Sequence, residues 1–249
     1  MLKVREEMTE NFESQKTNCI AILEKVREAG GTAICAGGFP RDYILNQKEI
    51  GHNYRASDFD IYIQNDTSKQ DIVESFGLNK ELIYEKKEGY EGQNDLDSIF
   101  TGNYSNPDNG KTFDRFELIF VDTEDIENYV FESFDTSICQ AYFDGKEFKT
   151  SPEFDKTLET KVITYNTSLN QELISYSFKS HVPKLVGKFS NFTFDFTGIN
   201  IPKDLTFGWL KRFNNNKLND KIKTGRRIIT SDNYIYLQPE IGNDRKYLF

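Results

Sequence analysis

From Arg5 to Ala29 the apolar residues Met8, Phe12, Cys19, Ile22, Leu23 and Val26 recur near helical spacing, which predicts an amphipathic helix stopped by Gly30-Gly31. Thr32 to Ala36 is a short apolar run between glycines, the length of a buried strand. Gly37-Gly38 follows, and Pro40 stands where the first turn of a helix tolerates a missing N–H, with Asp42 to Gln47 continuing that helix. After a polar loop over Lys48–Ala56 the period changes to two. Phe59, Ile61 and Ile63 share one face of a strand, and Asp58 and Asp60 share the other.

Further on, Ser68–Gly77 predicts a short capped helix with Ile72, Val73 and Phe76 on its apolar side, and Leu82–Tyr84 a strand. Glu88–Lys111, rich in Gly, Asn, Asp and Ser, predicts a long loop or insertion. Alternation returns at Phe113–Val121, where Glu117, Ile119 and Val121 face one way and Phe116, Leu118 and Phe120 the other. Thr123–Glu132 predicts a helix. Asp135 is placed to cap a helical turn through Cys139, and Phe143–Phe148 predicts a hairpin turning at Asp144-Gly145. Beyond Ser151-Pro152 the pattern shifts, with helices expected over Asn166–Lys184, ending before Pro183, and over Leu205–Leu218.

The length of 249 residues accommodates one large domain with an appendage, and the pattern shift divides it into 1–150 and 151–249. The fold class expected is α+β, a short mixed sheet flanked by helices, followed by a small, largely helical and partly basic region. A net charge of −9 argues against a general nucleic-acid coat protein, although Lys179, Lys184, Lys188, Lys203, Lys211, Arg212, Arg226 and Arg227 gather positive charge late in the chain. That basic stretch either guides an RNA end or forms a solvated face. Cys19, Cys35 and Cys139, with His52 and His181, lack the spacing of a zinc site, and free thiols fit a reducing compartment. The charged N-terminus and the lack of a run of about 20 apolar residues predict a cytoplasmic protein without a membrane span.

Three features carry chemistry. A strand, a glycine turn and a helix N-terminus at 33–42 form an anion site, because unpaired N–H groups and the helix dipole point at the ligand. The Cα atoms of Asp58 and Asp60, two residues apart on one strand face, lie about 6.5 to 7 Å apart, so both carboxylates can reach one metal site; alternatively they are the solvent face of an amphipathic strand. Glu117 is an acid among apolar strand residues, costly unless paired or metal-bound, which makes it the best third carboxylate ahead of Asp114 and Asp122.

In this order, Gly37-Gly38-Phe39-Pro40-Arg41-Asp42, Asp58-Phe59-Asp60-Ile61, Glu117 and Phe134-Asp135-Thr136-Ser137-Ile138 resemble the head domain of the tRNA nucleotidyltransferase and poly(A) polymerase branch of the polymerase-β-like nucleotidyltransferase superfamily. The spacing from Gly37 to Asp58 is longer than in that branch. Ser133 and Phe134 stand where it has arginines, and its Glu-Asp-x-x-Arg base-selecting motif has no copy here, which favours an acceptor other than a CCA end. The resemblance implies an NTP substrate and two Mg²⁺ ions held by Asp58, Asp60 and Glu117. It implies Gly37 and Gly38 against the phosphates, Arg41 paired with the phosphates or with Asp42, and Asp135 orienting the sugar or base. It further implies transfer of a nucleoside monophosphate to an acceptor hydroxyl, foremost an RNA 3′ end, or else a protein or small molecule. A related binding protein without turnover is the competing class.

Overall fold

The spacing at the N-terminus is realised as a helix, α1 (Leu2–Glu28), in which Phe12, Cys19, Ile22, Leu23 and Val26 are buried. The computed structural model describes residues 2–50, 56–64, 68–78, 95–105, 113–189, 191–199, 206–208, 222–223, 226–231 and 234–239. These residues form two compact units, one of 1–134 with 138–154 and one of 135–137 with 155–249.

The first unit is built on a six-stranded mixed sheet of order β3-β4-β2-β1-β5-β6. Its strands are β1 (Ala33–Ala36), β2 (Asp58–Gln64), β3 (Leu96–Ser105), β4 (Phe113–Val121), β5 (Ala141–Phe143) and β6 (Phe148–Thr150). The helices α2 (Gly38–Gln47), α3 (Lys69–Ser75) and α4 (Ile126–Ser133) complete it. Only β2 and β4 run parallel; β2 pairs on its other side with β1, antiparallel.

Side-chain alternation divides the core in two. Phe59, Ile61, Ile63, Phe116, Leu118 and Phe120 pack with residues of α1, α2 and α3 on one face. Tyr62, Ile119 and Val121 pack with Ile126 and Val130 of α4 on the other. The alternation expected for β2 and β4 is therefore the one observed. The hairpin is observed too: Phe143 pairs with Phe148, and the Asp144 carboxylate accepts hydrogen bonds from the backbone N–H groups of Lys146 and Glu147 at 2.7 and 2.8 Å.

Where a loop or insertion was expected over Glu88–Lys111, the structure has β3 at Leu96–Ser105. Its Gly, Asn and Ser content conceals a strand that is held by its partner rather than by propensity. It pairs along its length with β4, with an irregularity between Leu96 and Ser98. Gly102 lies opposite Phe116, and a Cβ there would come within 2.4 Å of that ring. The strand expected at Leu82–Tyr84 falls outside the described residues.

The second unit contains most of α5 (Pro152–Thr160), α6 (Gln171–Tyr176) and α7 (Val182–Lys188), and strands accompany them. The strands β7 (Val162–Thr164), β8 (Thr193–Asp195) and β10 (Ile222–Lys223) form a parallel sheet; β9 (Thr206–Gly208), β11 (Arg226–Ser231) and β12 (Tyr234–Pro239) form an antiparallel one. The helix expected over Leu205–Leu218 is corrected at its start, where Thr206–Gly208 is β9; residues 209–218 are outside the described set. The helix expected over Asn166–Lys184 starts later, at an Asn170 cap that accepts from the Leu173 N–H at 3.0 Å, and does not stop before Pro183. A π-helical turn at Ser177–His181 connects α6 to α7, and Pro183 takes the first turn of α7, where its missing N–H costs nothing. No helix among the described residues is long and apolar enough to cross a membrane.

Candidate active site at the acidic end of the central sheet

Register brings the acids together. In the parallel β2/β4 pair Asp60 stands directly opposite Glu117, and Asp58 opposite Arg115. Residues two apart on a strand share a face, so Asp58, Asp60, Arg115 and Glu117 form one patch, on the α4 side of the sheet and beyond the apolar rows. Asp58 and Asp60 are half-buried and Glu117 is buried. Across the sheet, Ala36 of β1 lies opposite Asp60, and Thr101 of β3 lies opposite Glu117.

The glycine turn closes on this patch. Gly37 connects β1 to α2 with φ 81°, in the left-handed region that favours glycine, and its N–H donates to the Ala141 carbonyl at 3.1 Å. A Cβ on Gly37 would lie 3.3 Å from Asp60 Oδ2 and 3.5 Å from the Phe134 ring. The N-terminus of α2 therefore begins beside the Asp60 carboxylate. Phe39 secures the turn from beneath, with its ring edge-on to Phe59 at 5.0 Å between centroids.

Arg41 and Asp42 take the internal one of the two arrangements anticipated for them. Both are buried, and the Arg41 guanidinium forks onto Asp42, Nε to Oδ1 at 2.8 Å and Nη2 to Oδ2 at 3.2 Å, while Nη1 donates to Cys139 Sγ at 3.4 Å. Burial works against the charge on Arg41, but the Asp42 carboxylate and Cys139 outweigh it and hold its pKa above the ordinary value. Glu117 likewise has a partner that the sequence reading missed: Arg115 Nη2 donates to Glu117 Oε1 at 2.6 Å. The Arg-x-Glu alternation on a strand was the available signal. Asp58 accepts from Ser57 Oγ at 2.7 Å.

Asp114, on the opposite face of β4, belongs to the core. It is buried and accepts from Asn18 Nδ2 at 2.6 Å and Gln15 Nε2 at 3.4 Å, which ties β4 to α1. Cys35 is a core thiol too. Burial pushes its pKa well up, and Cys19, then Asp60 and Asp58, add to the effect, so it stays neutral.

Asp135 lies in the second unit. It does not cap the 3₁₀ turn at Ser137–Cys139 as expected; its carboxylate accepts from Thr136 Oγ1 at 3.2 Å and from Ser177 Oγ, and faces His181 Nδ1 at 2.7 Å. Burial alone would raise its pKa, but His181, with the Ser177 and Thr136 hydroxyls, holds it below the usual carboxylate range. Ser177 and His181 were legible only as neighbours at i, i+4 on one helix face.

The patch offers carboxylate oxygens, the donor type that hard divalent cations take, two of them on partly exposed side chains. Beside Glu117 in register, the buried Thr101 hydroxyl has no hydrogen-bond partner among the described residues.

A family model described as Gabija anti-defense 2 family protein matches residues 7–161. No curated protein matches the chain. Among solved structures the fold is similar to the Bacillus stearothermophilus CCA-adding enzyme in complex with CTP, at 14% identity, covering 72% of this chain and 40% of that chain with a TM-score of 0.48. It is similar also to the Thermotoga maritima CCA-adding enzyme complexed with tRNA, at 14% identity, 71% and 38% coverage and a TM-score of 0.42. A tRNA-processing enzyme in an apo form matches at 12% identity, 71% and 42% coverage and a TM-score of 0.40. The chain thus spans about 40% of the length of these solved structures.

Proposed function

This chain belongs to the Gabija anti-defense 2 family, and from the acidic end of its sheet we infer that it transfers a nucleoside monophosphate from an NTP to an acceptor hydroxyl. The observation that carries the reading is the register of Asp60 with Glu117, with Asp58 on the same face and Gly37 closed against the Asp60 carboxylate. The motif order along the chain supports it independently.

Asp58, Asp60 and Glu117 are the proposed holders of two magnesium ions. When bound, magnesium supplies charge neutralisation to the triphosphate and lowers the pKa of the acceptor hydroxyl. Gly37 and Gly38 let the triphosphate approach the backbone at the start of α2, where the helix dipole favours negative charge. The Arg41–Asp42 pair fixes that first turn from inside. In the transfer itself the acceptor hydroxyl gives up its proton to solvent, its oxygen bonds to the α-phosphorus, the bond from that phosphorus to the bridging oxygen breaks, and pyrophosphate leaves. Asp135, which the resemblance implies would orient the sugar or base, has its carboxylate engaged within its own unit by Ser177 and His181.

The proposed acceptor is an RNA 3′ end, on the strength of the basic residues of 179–227. A second reading, nucleotide binding without turnover, is favoured by the Arg115–Glu117 pair, which already neutralises one of the three acids.

The test uses each NTP radiolabelled at the α-phosphate, with magnesium and separate RNA, protein and small-molecule fractions. Label in RNA, absent with Asp58→Ala/Asp60→Ala, is the expected result. Label in another fraction reassigns the acceptor. Magnesium-dependent NTP binding without transfer selects the binding reading, and identical results for wild type and variant refute the site.

A further inference from the structure

Arg115 stands inside the acidic patch on the same strand face as Glu117 and in register with Asp58. It faces Asn103 of β3 on its other side. Its Nη2 is bonded to Glu117 Oε1 at 2.6 Å, but the two ends of this pair are unlike: the arginine side chain is 46% exposed and the glutamate 5%. The carboxylate is fixed in the sheet, whereas the guanidinium reaches it from the solvent side.

We propose that Arg115 is an exchangeable counterion of the nucleotide site, which occupies Glu117 while the site is empty and moves to the triphosphate when nucleotide and divalent cation enter. The inference rests on the nucleotidyl-transfer reading of the same patch. A guanidinium remains charged at every physiological pH, and its planar fork suits phosphate oxygens as well as carboxylate oxygens. A cation that ligates Glu117 shares its carboxylate with Arg115, whose positive charge opposes it. Without nucleotide, Arg115 stays among the carboxylates of the patch, paired with Glu117 and in register with Asp58, so it opposes cation binding. With nucleotide, the triphosphate supplies that acceptor, and the carboxylate is released to the cation.

Binding of cation and nucleotide is therefore coupled through this one side chain, and by linkage each strengthens the other. An arginine serving only to neutralise a buried glutamate gives a different signature. Its removal would strip a counterion from Glu117 and weaken the fold and both ligands together.

The test is Mn²⁺ binding, followed by the paramagnetic signal of the free ion, for the wild-type chain and Arg115→Met, with and without α,β-methylene-ATP. The expected result has opposite signs. Without nucleotide the variant binds Mn²⁺ roughly tenfold more tightly than wild type, and with saturating Mn²⁺ it binds the analogue roughly tenfold more weakly, within the range of ordinary coupling. Should Arg115→Met fail to fold by circular dichroism, Arg115→Lys carries the same test: weaker analogue binding with Mn²⁺ affinity no lower than wild type. Equal or weaker Mn²⁺ binding by folded Arg115→Met overturns the proposal, and so does Mn²⁺ binding by Arg115→Lys that is weaker than wild type. A wild-type chain that takes up no Mn²⁺ even with the analogue refutes the nucleotidyl-transfer reading, and the Arg115 proposal with it.

Discussion

Asp60 sits where three constraints meet: the Gly37 turn, the register with Glu117 and the face shared with Asp58. Asp60→Asn preserves shape but removes charge, and is expected to lower transfer roughly a hundredfold or more, as losses of electrostatic stabilisation do. Its thermal melt should match wild type, which separates the catalytic effect from a folding one. Gly37→Ala places a side chain at φ 81° and 3.3 Å from the Asp60 carboxylate. A cost of about 1–3 kcal/mol in urea unfolding is expected from the backbone conformation, together with weaker metal uptake as Asp60 shifts. Asp135 gives a pH signature. Its folded pKa is depressed by His181, Ser177 and Thr136 against the opposing effect of burial. Its contribution to stability is therefore present above the pKa of an unfolded aspartate, about 3.9, and is lost as pH falls through the lower folded value. Urea unfolding of wild type and Asp135→Asn should differ at neutral pH and converge in that acidic window.

At the scale of elements, β4 presents two acids to two different purposes. Asp114, one face away from Glu117, anchors α1 through Asn18 and Gln15. Asp114→Ala should cost about 1–3 kcal/mol, because it leaves buried donors unsatisfied, while leaving Mn²⁺ uptake unchanged; loss of Mn²⁺ uptake would show that the two faces are not independent. The strand alternation that separates these acids was legible in the sequence because apolar residues fill the alternate positions of 58–63 and 113–121. By contrast β3 was not legible. Gly102, Asn103 and Ser105 carry little strand propensity, and what places them in a strand is the long-range pairing with β4. The partner of Arg41 was open for a similar reason, since phosphate and carboxylate satisfy the same fork, and only the packed turn of α2 decides for Asp42.

For the molecule as a whole, local order along the chain singled out the acidic strand and the glycine turn, and offered Glu117 as the candidate third carboxylate, before any tertiary information. Each of those signals lies within a few residues. The partners that tune them were harder to read. Arg115 lies two residues from Glu117 but takes its meaning from the neighbouring strand, and the Ser177–His181 turn was concealed in what read as continuous helix. The basic residues late in the chain are the ground for RNA as the proposed acceptor, in a chain that is acidic overall and belongs to a family whose description is anti-defense. The central claim is that Asp58, Asp60 and Glu117 hold divalent cations against a triphosphate seated on the Gly37–Gly38 turn. Its most direct measurement is a crystal structure with Mn²⁺ and α,β-methylene-ATP, read by the anomalous signal of the ion. The account predicts Mn²⁺ bound directly to all three carboxylates, with the triphosphate at the N-terminus of α2. Cations or triphosphate bound elsewhere, with these carboxylates unliganded, would contradict it.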